Sequence, residues 1–225
     1  MQTAHFARTR KVTAVDLPGH GGRPWNGESL DAMADALAAQ ADPAGTDVVA
    51  SSFGGLVLLK LWAKYPQLVR RAVFIGAVPR FTATQGFPAG LVPERIRKLA
   101  GQFEGDVAKV LGMFFRSLFT MKERESPAFA RTKDILKGML LPQRQALLAM
   151  LEMLEREDLR PLLARFDTPA LFLFGDSDPI CPLMVTEPLR ALCPSAKIES
   201  FKGTGHFPFL TIPEVVDRRI ERFLA

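Results

Sequence analysis

The amino-acid sequence predicts an α/β protein, in which a mostly parallel, doubly wound sheet is interrupted by an inserted all-helical segment. Short β-branched runs alternate with helical patterns through residues 11–76. From residue 94 to residue 166 the strand patterns stop and amphipathic helical patterns dominate, and strand patterns resume at Pro169. Such alternation implies parallel strands joined by right-handed crossovers. The predicted divisions are a core made of residues 1–80 and 167–225, and a helical cap made of residues 81–166.

The first part of the core is predicted to follow the order β-α-β-α-β. Residues 11–17 (KVTAVDL), 47–50 (DVVA) and 71–76 (RAVFIG) are short, β-branched or apolar runs, which are typical of strands. Apolar residues recur at helical spacing over residues 30–37 and 56–63. Turns rich in glycine and proline separate these segments.

The second part of the core resumes with residues 169–175 (PALFLFG), a continuous apolar run that predicts a buried strand. A helical pattern follows over residues 183–192, and residues 196–201 (AKIESF) alternate as a last strand. Pro213 opens a final amphipathic helix. This part therefore adds two strands and two helices to the predicted sheet.

The inserted segment carries helical patterns of its own, for example over residues 107–119 and 143–154. Its first residues, 81–93, are rich in glycine and proline. We expect the helices to form a cap over the carboxyl edge of the sheet.

Composition is that of a globular protein with a moderate basic excess. The 225 residues carry a formal net charge of +5, and 48% of them are hydrophobic. No nucleic-acid-binding motif accompanies the positive charge, so no nucleic-acid partner is predicted. No apolar run reaches the roughly 18 residues needed to span a bilayer, and the first residues lack the apolar core of a secretory signal. We therefore expect a cytoplasmic protein without a membrane partner.

Cys181 and Cys193 are the only cysteines in the sequence. Two cysteines are too few for a disulfide scaffold, and they do not have the spacing of a zinc site. We interpret them as reduced structural thiols. The sequence predicts no metal site and no cofactor, and we expect a monomer.

The stretch from residue 47 to residue 65 has the layout of a nucleophile elbow, written G-x-S-x-G, in which a strand passes through a tight turn into a helix. Its five positions are Ala50-Ser51-Ser52-Phe53-Gly54, so Ser52 is the candidate nucleophile. A serine at the apex of such a turn has a strained backbone, and only small side chains fit two residues before and after it. Ala50 stands where glycine is usual, and its extra methyl group is expected to be tolerated.

Two further polar clusters follow predicted strands. Asp178 comes just after the strand at residues 169–175, and His206 comes just after the strand at residues 196–201. Both lie where a parallel sheet presents its ligands, outside the carboxyl ends of the strands. A serine hydroxyl needs a base such as imidazole, and a carboxylate orients the imidazole. Taken singly, Asp178 also fits a turn residue and His206 a loop histidine; together with Ser52 they predict a catalytic triad.

These residues give the chain a resemblance to the α/β-hydrolase family from Val12 to its end. The matching motifs are DLPGHG at residues 16–21, SSFGG at 51–55, G-x-x-D-x-x-x-P at 175–182 and GHFP at 205–208. Within the family, the chain is most similar to the pimeloyl-acyl-carrier-protein methyl ester esterases of biotin synthesis (BioH type). The closer similarity rests on VDLPG at residues 15–19, GGLV at 54–57 and DLRPL at 158–162.

The resemblance implies that Ser52, His206 and Asp178 are nucleophile, base and acid, and that the Phe53 N–H is one oxyanion donor. It also suggests that basic side chains of the cap receive an acidic acyl carrier protein. Our candidates for substrate binding are the cations and aromatic residues Arg116, Arg124, Arg131, Phe115 and Phe119. The alternatives are that the cations form a solvated helical face and that the aromatic residues are cap core.

The sequence departs from the family at its beginning. The first strands of the family and its His-Gly oxyanion loop normally precede the strand at residues 11–17, and only about ten residues do so here. That loop supplies the second oxyanion donor. A misassigned gene start, a fragment and a true loss are the three explanations, of which we favour the first two. Losing one oxyanion donor typically costs about 100- to 1,000-fold in rate, so a weak catalyst is expected.

The predicted function is therefore hydrolysis of the methyl ester of pimeloyl-acyl carrier protein by a serine carboxylesterase. One alternative is a generic carboxylesterase or a thioesterase that acts on small acyl esters. A second alternative, from another class, is a degenerate hydrolase fold that binds a ligand without catalysis.

Overall fold

The centre of the fold is a four-stranded sheet, seen in a computed structural model that describes residues 2–225. The strands are β1 (Thr46–Ser51), β2 (Val69–Ile75), β3 (Ala170–Gly175) and β4 (Lys197–Phe201). They lie in the order β1-β2-β3-β4, and every neighbouring pair is parallel. In register, Ser51 lies opposite Ile75, and Ile75 lies opposite Leu173. The carboxyl ends of the strands therefore meet at one edge of the sheet.

Twelve α-helices accompany the sheet in residues 2–225. Those of the core are α1 (Gln2–Phe6), α2 (Leu30–Ala38), α3 (Gly54–Lys64), α10 (Thr186–Leu192), α11 (Pro208–Thr211) and α12 (Pro213–Leu224). Those inserted between β2 and β3 are α4 (Pro93–Gln102), α5 (Val107–Ser117), α6 (Met121–Arg124), α7 (Pro127–Lys137), α8 (Arg144–Arg156) and α9 (Arg160–Leu163). Short 3₁₀ turns precede β2 and α10, at Pro66–Leu68 and Leu183–Val185.

The two faces of the sheet carry separate hydrophobic clusters. On one face, Phe74 of β2 stacks on Phe172 of β3 with ring centroids 4.5 Å apart, in the cluster that α2, α3 and α10 also join. On the other face, Val73 and Leu173 pack with Ile220 of α12. Successive side chains of a strand point to opposite faces, so neighbouring residues of β2 join different clusters. The prediction of a doubly wound α/β fold is confirmed.

The strand predicted at residues 11–17 does not form, and this prediction is wrong. The segment is irregular and largely exposed, and Val12 is 37% exposed. A β-branched pattern indicates suitability for a pleated surface, but a strand also needs a neighbour for its N–H and C=O groups. Within residues 2–225, no strand pairs with β1 on the side away from β2, so this segment has no strand partner.

The loop at residues 17–23, which follows that segment, is tied to the inserted helices. The Gln143 N–H, just before α8, donates to the Gly19 carbonyl at 2.8 Å. Gly19 has a φ of 78°, and a Cβ atom there would lie 2.2 Å from the Ala146 Cβ. Glycine is therefore required where this loop presses against α8.

The inserted residues contain six helices and no strand, apart from isolated bridges between Thr82 and Leu91 and between Thr84 and Phe87. Hydrogen bonds join the last part of the insert to its first part and to the core. The Leu159 N–H donates to the Pro79 carbonyl at 2.8 Å, and the Thr82 hydroxyl donates to the Glu155 carbonyl at 2.9 Å. The boundaries of a separate cap at residues 81 and 166 stay a prediction.

None of the helices in residues 2–225 is long and apolar enough to cross a membrane. The longest, α8, has 13 residues. At 1.5 Å per residue such a helix is about 20 Å long, whereas the hydrocarbon layer is about 30 Å thick.

Candidate active site

Ser52 lies in the turn between β1 and α3, at the carboxyl edge of the sheet. Its φ is 50°, and it is the only residue other than glycine with a positive φ in residues 2–225. Such a conformation costs of order 1–3 kcal/mol and persists only where surrounding contacts impose it. Here the Ser52 N–H donates to the Ile75 carbonyl at 2.9 Å, and the Ser52 carbonyl accepts from the Gly55 N–H at 2.9 Å. The strained backbone predicted for this serine is present.

The small residues around Ser52 differ in how strictly their size is required. A Cβ atom on Gly54 would lie 3.7 Å from the Cβ of Ala50, which is ordinary contact, so the extra methyl group of Ala50 fits. A Cβ atom on Gly55 would lie only 2.6 Å from the Cβ of Ala77. The closest approach of the turn is therefore at Gly55, one residue beyond the elbow motif.

Ser52, His206 and Asp178 form a continuous chain of hydrogen bonds, as the sequence predicts. The Ser52 Oγ lies 2.9 Å from the His206 Nε2, and the His206 Nδ1 lies 2.8 Å from the Asp178 Oδ2. His206 is 2% exposed and Asp178 is 4% exposed, so water competes little for these bonds. With the Nδ1 proton donated to the carboxylate, Nε2 is free to accept the proton of the serine hydroxyl.

The Asp178 carboxylate is held by its own loop. Its Oδ1 accepts from the Ile180 N–H at 2.7 Å and from the Cys181 N–H at 3.0 Å. Asp176 is exposed and joins the two loops instead, because its Oδ1 accepts from the Gly203 N–H at 2.8 Å. Asp178 is therefore fixed beside His206, whereas Asp176 bridges two loops at the surface.

Glycines make room for the backbone and ring of His206. A Cβ atom on Gly76 would lie 2.9 Å from the His206 carbonyl oxygen and 3.0 Å from its ring. A Cβ atom on Gly175 would lie 2.1 Å from the Gly205 carbonyl oxygen, and one on Gly205 would lie 2.1 Å from the Leu118 carbonyl oxygen. The ends of β2, β3 and β4 and the end of the inserted helix α5 therefore meet around His206, so closely that glycine is needed at these positions.

The Phe53 N–H is a candidate oxyanion donor, because it stands at the N-terminus of α3 beside Ser52. It donates no hydrogen bond to another described residue. Among residues 2–10, helix α1 packs on the far side of the sheet, where the Gln2 amide donates to the Phe209 carbonyl and to Asp217. This part of the chain supplies no second donor next to Ser52.

A cavity of about 330 Å³ opens onto Ser52 and His206. Apolar side chains of the inserted helices dominate its lining, and polar side chains stand among them. The apolar residues are Phe81, Leu91, Ile96, Leu99, Met113, Phe114, Leu118, Leu151 and Leu154, joined by Pro179, Ile180 and Phe207, and the polar ones are Arg95, Gln102 and Ser117. Such a site suits an acyl chain whose ester group reaches Ser52.

Phe115 and Phe119, predicted as substrate-binding residues, do not line this cavity. Their rings are 4.9 Å apart and pack with Phe129 and Phe207, so they belong to a small aromatic core. On α5 it is Met113 and Phe114 that line the cavity, one residue before Phe115. The apolar pattern indicates that α5 buries a face, but it does not say which side of that face meets a ligand.

The three arginines predicted to bind substrate also lie outside the cavity lining. Arg116 and Arg131 are exposed on α5 and α7 and form no ion pair with another described residue. Arg124 is half-buried, and its buried Nε has no hydrogen-bond partner in the described chain. If these arginines bind a partner, they therefore do so at the outer surface of the insert, where Arg116 and Arg131 are the most exposed of the three.

Asp178, Cys181 and His206 offer ligand atoms that lie within 4.8 Å of one another. These groups already bond within the protein, and the Cys181 Sγ donates to the Gly76 carbonyl at 3.3 Å. Burial raises the pKa of the Cys181 thiol well above its ordinary value, and the charge of Asp178 adds to this effect. A protonated thiol is a poor metal ligand, so this cluster is best explained by the hydrogen bonds of the site. Cys193 is likewise buried and free, as predicted.

Comparison with known proteins agrees with this geometry. Residues 2–219 match the alpha/beta hydrolase family. The chain belongs to the alpha/beta hydrolase family. This hydrolase is 35% identical over 213 residues to the pimeloyl-[acyl-carrier protein] methyl ester esterase of Neisseria meningitidis serogroup B, covering 92% of its own length and 79% of that protein. It is 32% identical over 217 residues to the protein of the same name from Aromatoleum aromaticum, covering 94% of its own length and 86% of the relative.

Solved structures of esterases share the fold of this hydrolase. The esterase EaEST from Exiguobacterium antarcticum superposes with a TM-score of 0.81 at 21% identity, covering 93% of this chain and 80% of that one. A thermophilic esterase from Thermogutta terrifontis superposes with a TM-score of 0.82 at 22% identity, covering 99% and 82%. At these identities the likeness shows the fold alone.

Proposed function

We propose that this hydrolase cleaves carboxylic esters with Ser52 as nucleophile, His206 as general base and Asp178 as the residue that orients the imidazole. The observation that carries the proposal is the unbroken chain of hydrogen bonds from Ser52 through His206 to Asp178, at the base of an apolar cavity. The strained backbone of Ser52 adds to it, since strain of this kind is kept where a function requires it.

The steps follow from these contacts. The Ser52 Oγ attacks the ester carbonyl as the hydroxyl proton passes to the His206 Nε2. The oxyanion that forms accepts a hydrogen bond from the Phe53 N–H. The imidazolium, stabilised by Asp178, then gives its proton to the leaving alkoxide, so that an alcohol departs and an acyl-enzyme remains. Water then attacks the acyl-enzyme as its proton passes to the same imidazole. The imidazolium returns that proton to the Ser52 Oγ as the acyl–oxygen bond breaks, which releases the acid and restores the serine.

The substrate that we propose is the methyl ester of pimeloyl-acyl carrier protein, with methanol as the leaving alcohol. Its support is the name shared by relatives that are 30–35% identical over most of the chain. The apolar lining of the cavity suits the methylene chain of such an acyl group. A cytoplasmic location and a monomeric state stay predictions from the sequence.

The outer surface of the inserted helices suits an acidic carrier protein. Six cations of α5, α6 and α7 form no ion pair with another described residue: Lys109, Arg116, Lys122, Arg124, Arg131 and Lys133. Unpaired surface cations attract and orient an acidic partner mainly through the rate of association. We propose that this surface, with Arg116 and Arg131 as its exposed arginines, receives the carrier.

The first test compares the wild type with Ser52→Ala. We expect hydrolysis of methyl pimeloyl-carrier protein and of p-nitrophenyl butyrate by the wild type, and labelling of Ser52 by a fluorophosphonate probe. The Ser52→Ala variant should not be labelled and should keep only a trace of the wild-type activity, because the nucleophile is gone. Folded wild type that neither labels nor hydrolyses either ester would favour a binding module without catalysis.

The second test separates carrier recognition from chemistry. The double variant Arg116→Glu/Arg131→Glu should lose about tenfold or more in kcat/KM on the carrier-bound ester, and little on p-nitrophenyl butyrate. Arg218→Glu, an exposed cation on α12, is the matched control and should leave both activities unchanged. Equal activity of all variants on the carrier-bound ester would contradict docking on this surface.

An esterase or thioesterase for small free substrates is the second candidate. The observation in its favour is that Arg116, Arg124 and Arg131 all stay outside the cavity lining, so the cavity itself does not require a carrier. Rapid cleavage of short free esters, together with no cleavage of the carrier-bound ester, would favour this candidate.

A further inference from the structure

Glu123 is a buried carboxylate that the proposed chemistry does not use. It is 6% exposed and is the third residue of α6. Its Oε2 accepts from the Thr120 N–H at 2.8 Å and from the Gly205 N–H at 2.9 Å, and its Oε1 accepts from the Thr211 hydroxyl at 2.7 Å. A buried carboxylate that accepts three hydrogen bonds of this length is strongly held, because each bond is assisted by its charge.

Two of these donors belong to the segment that carries His206. Gly205 directly precedes His206, and Thr211 is the last residue of α11, which follows it. A further bond joins the same elements, since the His206 N–H donates to the Leu118 carbonyl at 2.8 Å. The junction between α5 and α6 therefore fixes the backbone on both sides of His206.

This attachment leaves little freedom for the histidine backbone. A Cβ atom on Gly205 would lie 2.1 Å from the Leu118 carbonyl oxygen, so the two backbones are already in contact. Glu123 does not line the cavity and makes no hydrogen bond to a side chain of the triad. Its effect on the chemistry must pass through the Gly205 and Thr211 bonds.

We propose that Glu123, which belongs to the inserted helices, is a positioning residue. It holds the backbone around His206 so that the imidazole lies between Ser52 and Asp178. The inference rests on the proposed role of His206 as general base. A misplacement of about 1 Å in such a group can cost about 100-fold in rate. The inserted helices thus control the geometry of the base as well as the shape of the cavity.

The experiment compares three substitutions of Glu123 in the full chain. Glu123→Ala leaves the buried Gly205 N–H without an acceptor, and kcat for p-nitrophenyl butyrate should fall roughly 10- to 100-fold with KM within about twofold. Glu123→Asp, one methylene shorter, cannot reach both N–H donors and should lose about fivefold or more in kcat. Glu123→Gln should stay within about threefold of wild type, because its amide oxygen accepts both N–H groups and its NH₂ donates to the Thr211 hydroxyl.

Asp106→Ala is the matched control. The Asp106 side chain caps α5 by accepting from the Lys109 N–H at 3.0 Å, and no hydrogen bond joins it to the His206 segment. Its removal should weaken the inserted helices, seen as a lower Tm, without changing kcat. A loss of kcat in Glu123→Ala that Asp106→Ala does not share therefore reports positioning rather than general loosening of the insert.

A spectroscopic readout makes the result independent of turnover. The proton shared by the His206 Nδ1 and Asp178 should give a strongly deshielded resonance in wild type, Glu123→Gln and Asp106→Ala, and a shifted or broadened one in Glu123→Ala. Folded Glu123→Ala with wild-type kcat and an unchanged resonance would overturn the inference. If Glu123→Ala does not fold, Glu123→Asp decides in the same way. A wild type without hydrolysis or Ser52-dependent labelling would refute the proposed function, while the resonance still decides the role of Glu123.

Discussion

At the scale of single residues, the site depends on backbone positions that tolerate only one kind of side chain. Ser52 has a φ of 50° and Gly76 has a φ of 55°, although only the first carries a side chain. Gly76 follows β2 and faces His206 so closely that even a methyl group would touch the imidazole ring. The absence of a side chain at Gly76 is therefore as necessary to the triad as the presence of one at Ser52.

Gly76→Ala tests this requirement. The new Cβ would lie 2.9 Å from the His206 carbonyl oxygen and 3.0 Å from its ring, so we expect kcat on p-nitrophenyl butyrate to fall by about tenfold or more. The left-handed backbone should add a stability loss of about 1–2 kcal/mol, measured by urea unfolding. The control is Gly101→Ala in α4, where no heavy atom outside the local helix backbone lies within 4 Å of the added carbon. That variant should keep wild-type kcat, and equal kcat in both variants would contradict the steric argument.

The triad residues were predictable because each follows a strand pattern and has the right chemistry for its place. The elbow motif identified Ser52, and the rule that parallel strands end at one edge placed Asp178 and His206 beside it. Glu123 gave no such signal, since an acidic residue in the third position of a helix is ordinary for a capping box. Its bond to Gly205 joins residues 82 positions apart and depends on tertiary packing.

At the scale of elements, helix α5 has two apolar sides with different roles. Phe114 lines the cavity, whereas Phe115, the next residue, packs with Phe119 and Phe129 in the aromatic core. Consecutive helical residues are rotated by 100° about the axis, so neighbours need not share a face. The sequence identified the apolar helix correctly, whereas its assignment of the acyl chain to Phe115 and Phe119 stays a prediction beside a cavity that Met113 and Phe114 line.

Paired alanine substitutions in α5 distinguish the two sides. Phe114→Ala should raise KM for p-nitrophenyl hexanoate by about tenfold, because the acyl chain loses a burial partner. Phe115→Ala should leave KM within about twofold and lower the free energy of unfolding by about 2 kcal/mol, because it opens the aromatic core. A reversed pattern, with KM sensitive to Phe115 alone, would support the assignment made from the sequence.

Helix α12 carries a buried carboxylate whose ionisation opposes folding. Burial is the main cause that raises the pKa of Asp217, partly offset by the hydrogen bond from the Gln2 amide. A carboxyl with a raised folded-state pKa favours the folded state at low pH, and this contribution is lost as the pH rises through that pKa. The charged form of Asp217 is therefore a cost to stability at neutral pH.

Asp217→Asn removes that charge without changing the shape of the side chain. We expect a higher Tm than wild type at pH 7, with the difference shrinking as the pH falls below about 4, where the wild-type carboxyl is protonated in both states. Thermal melts at several pH values measure this. A Tm difference that does not depend on pH would mean that the hydrogen bond, rather than the charge, decides.

At the scale of the whole molecule, β1 is one of the two edge strands of the sheet in residues 2–225, the other being β4. In residues 2–225 no strand pairs with its outer side, and the side chain of Val49 is 46% exposed. The segment at residues 11–17 has the composition of a strand but pairs with no other strand. The sequence pattern reports a local preference, whereas a sheet also requires hydrogen bonds between segments that are distant in sequence. The number and order of paired strands were for this reason the least predictable part of the fold.

An open edge with an apolar side chain favours association between copies. Val49→Lys should reduce concentration-dependent light scattering of the purified protein by about severalfold, because a charged edge disfavours pairing. Val215→Lys is the control, since Val215 is 38% exposed on α12 rather than on a strand edge. If both substitutions change scattering equally, net charge rather than the strand edge is responsible.

The attachment of the His206 segment to Leu118 and Glu123 also limits how this enzyme can be shortened. A minimal version made by deleting residues 81–166 and joining β2 to β3 would keep Ser52, Asp178 and His206 in sequence. It would nevertheless remove the carbonyl that accepts from the His206 N–H and the carboxylate that accepts from the Gly205 N–H. With His206 as the proposed base, we therefore expect the smallest catalytic unit to include the helices that interrupt the sheet. We also expect an exchange of these helices for those of another enzyme to require the histidine loop to be exchanged with them.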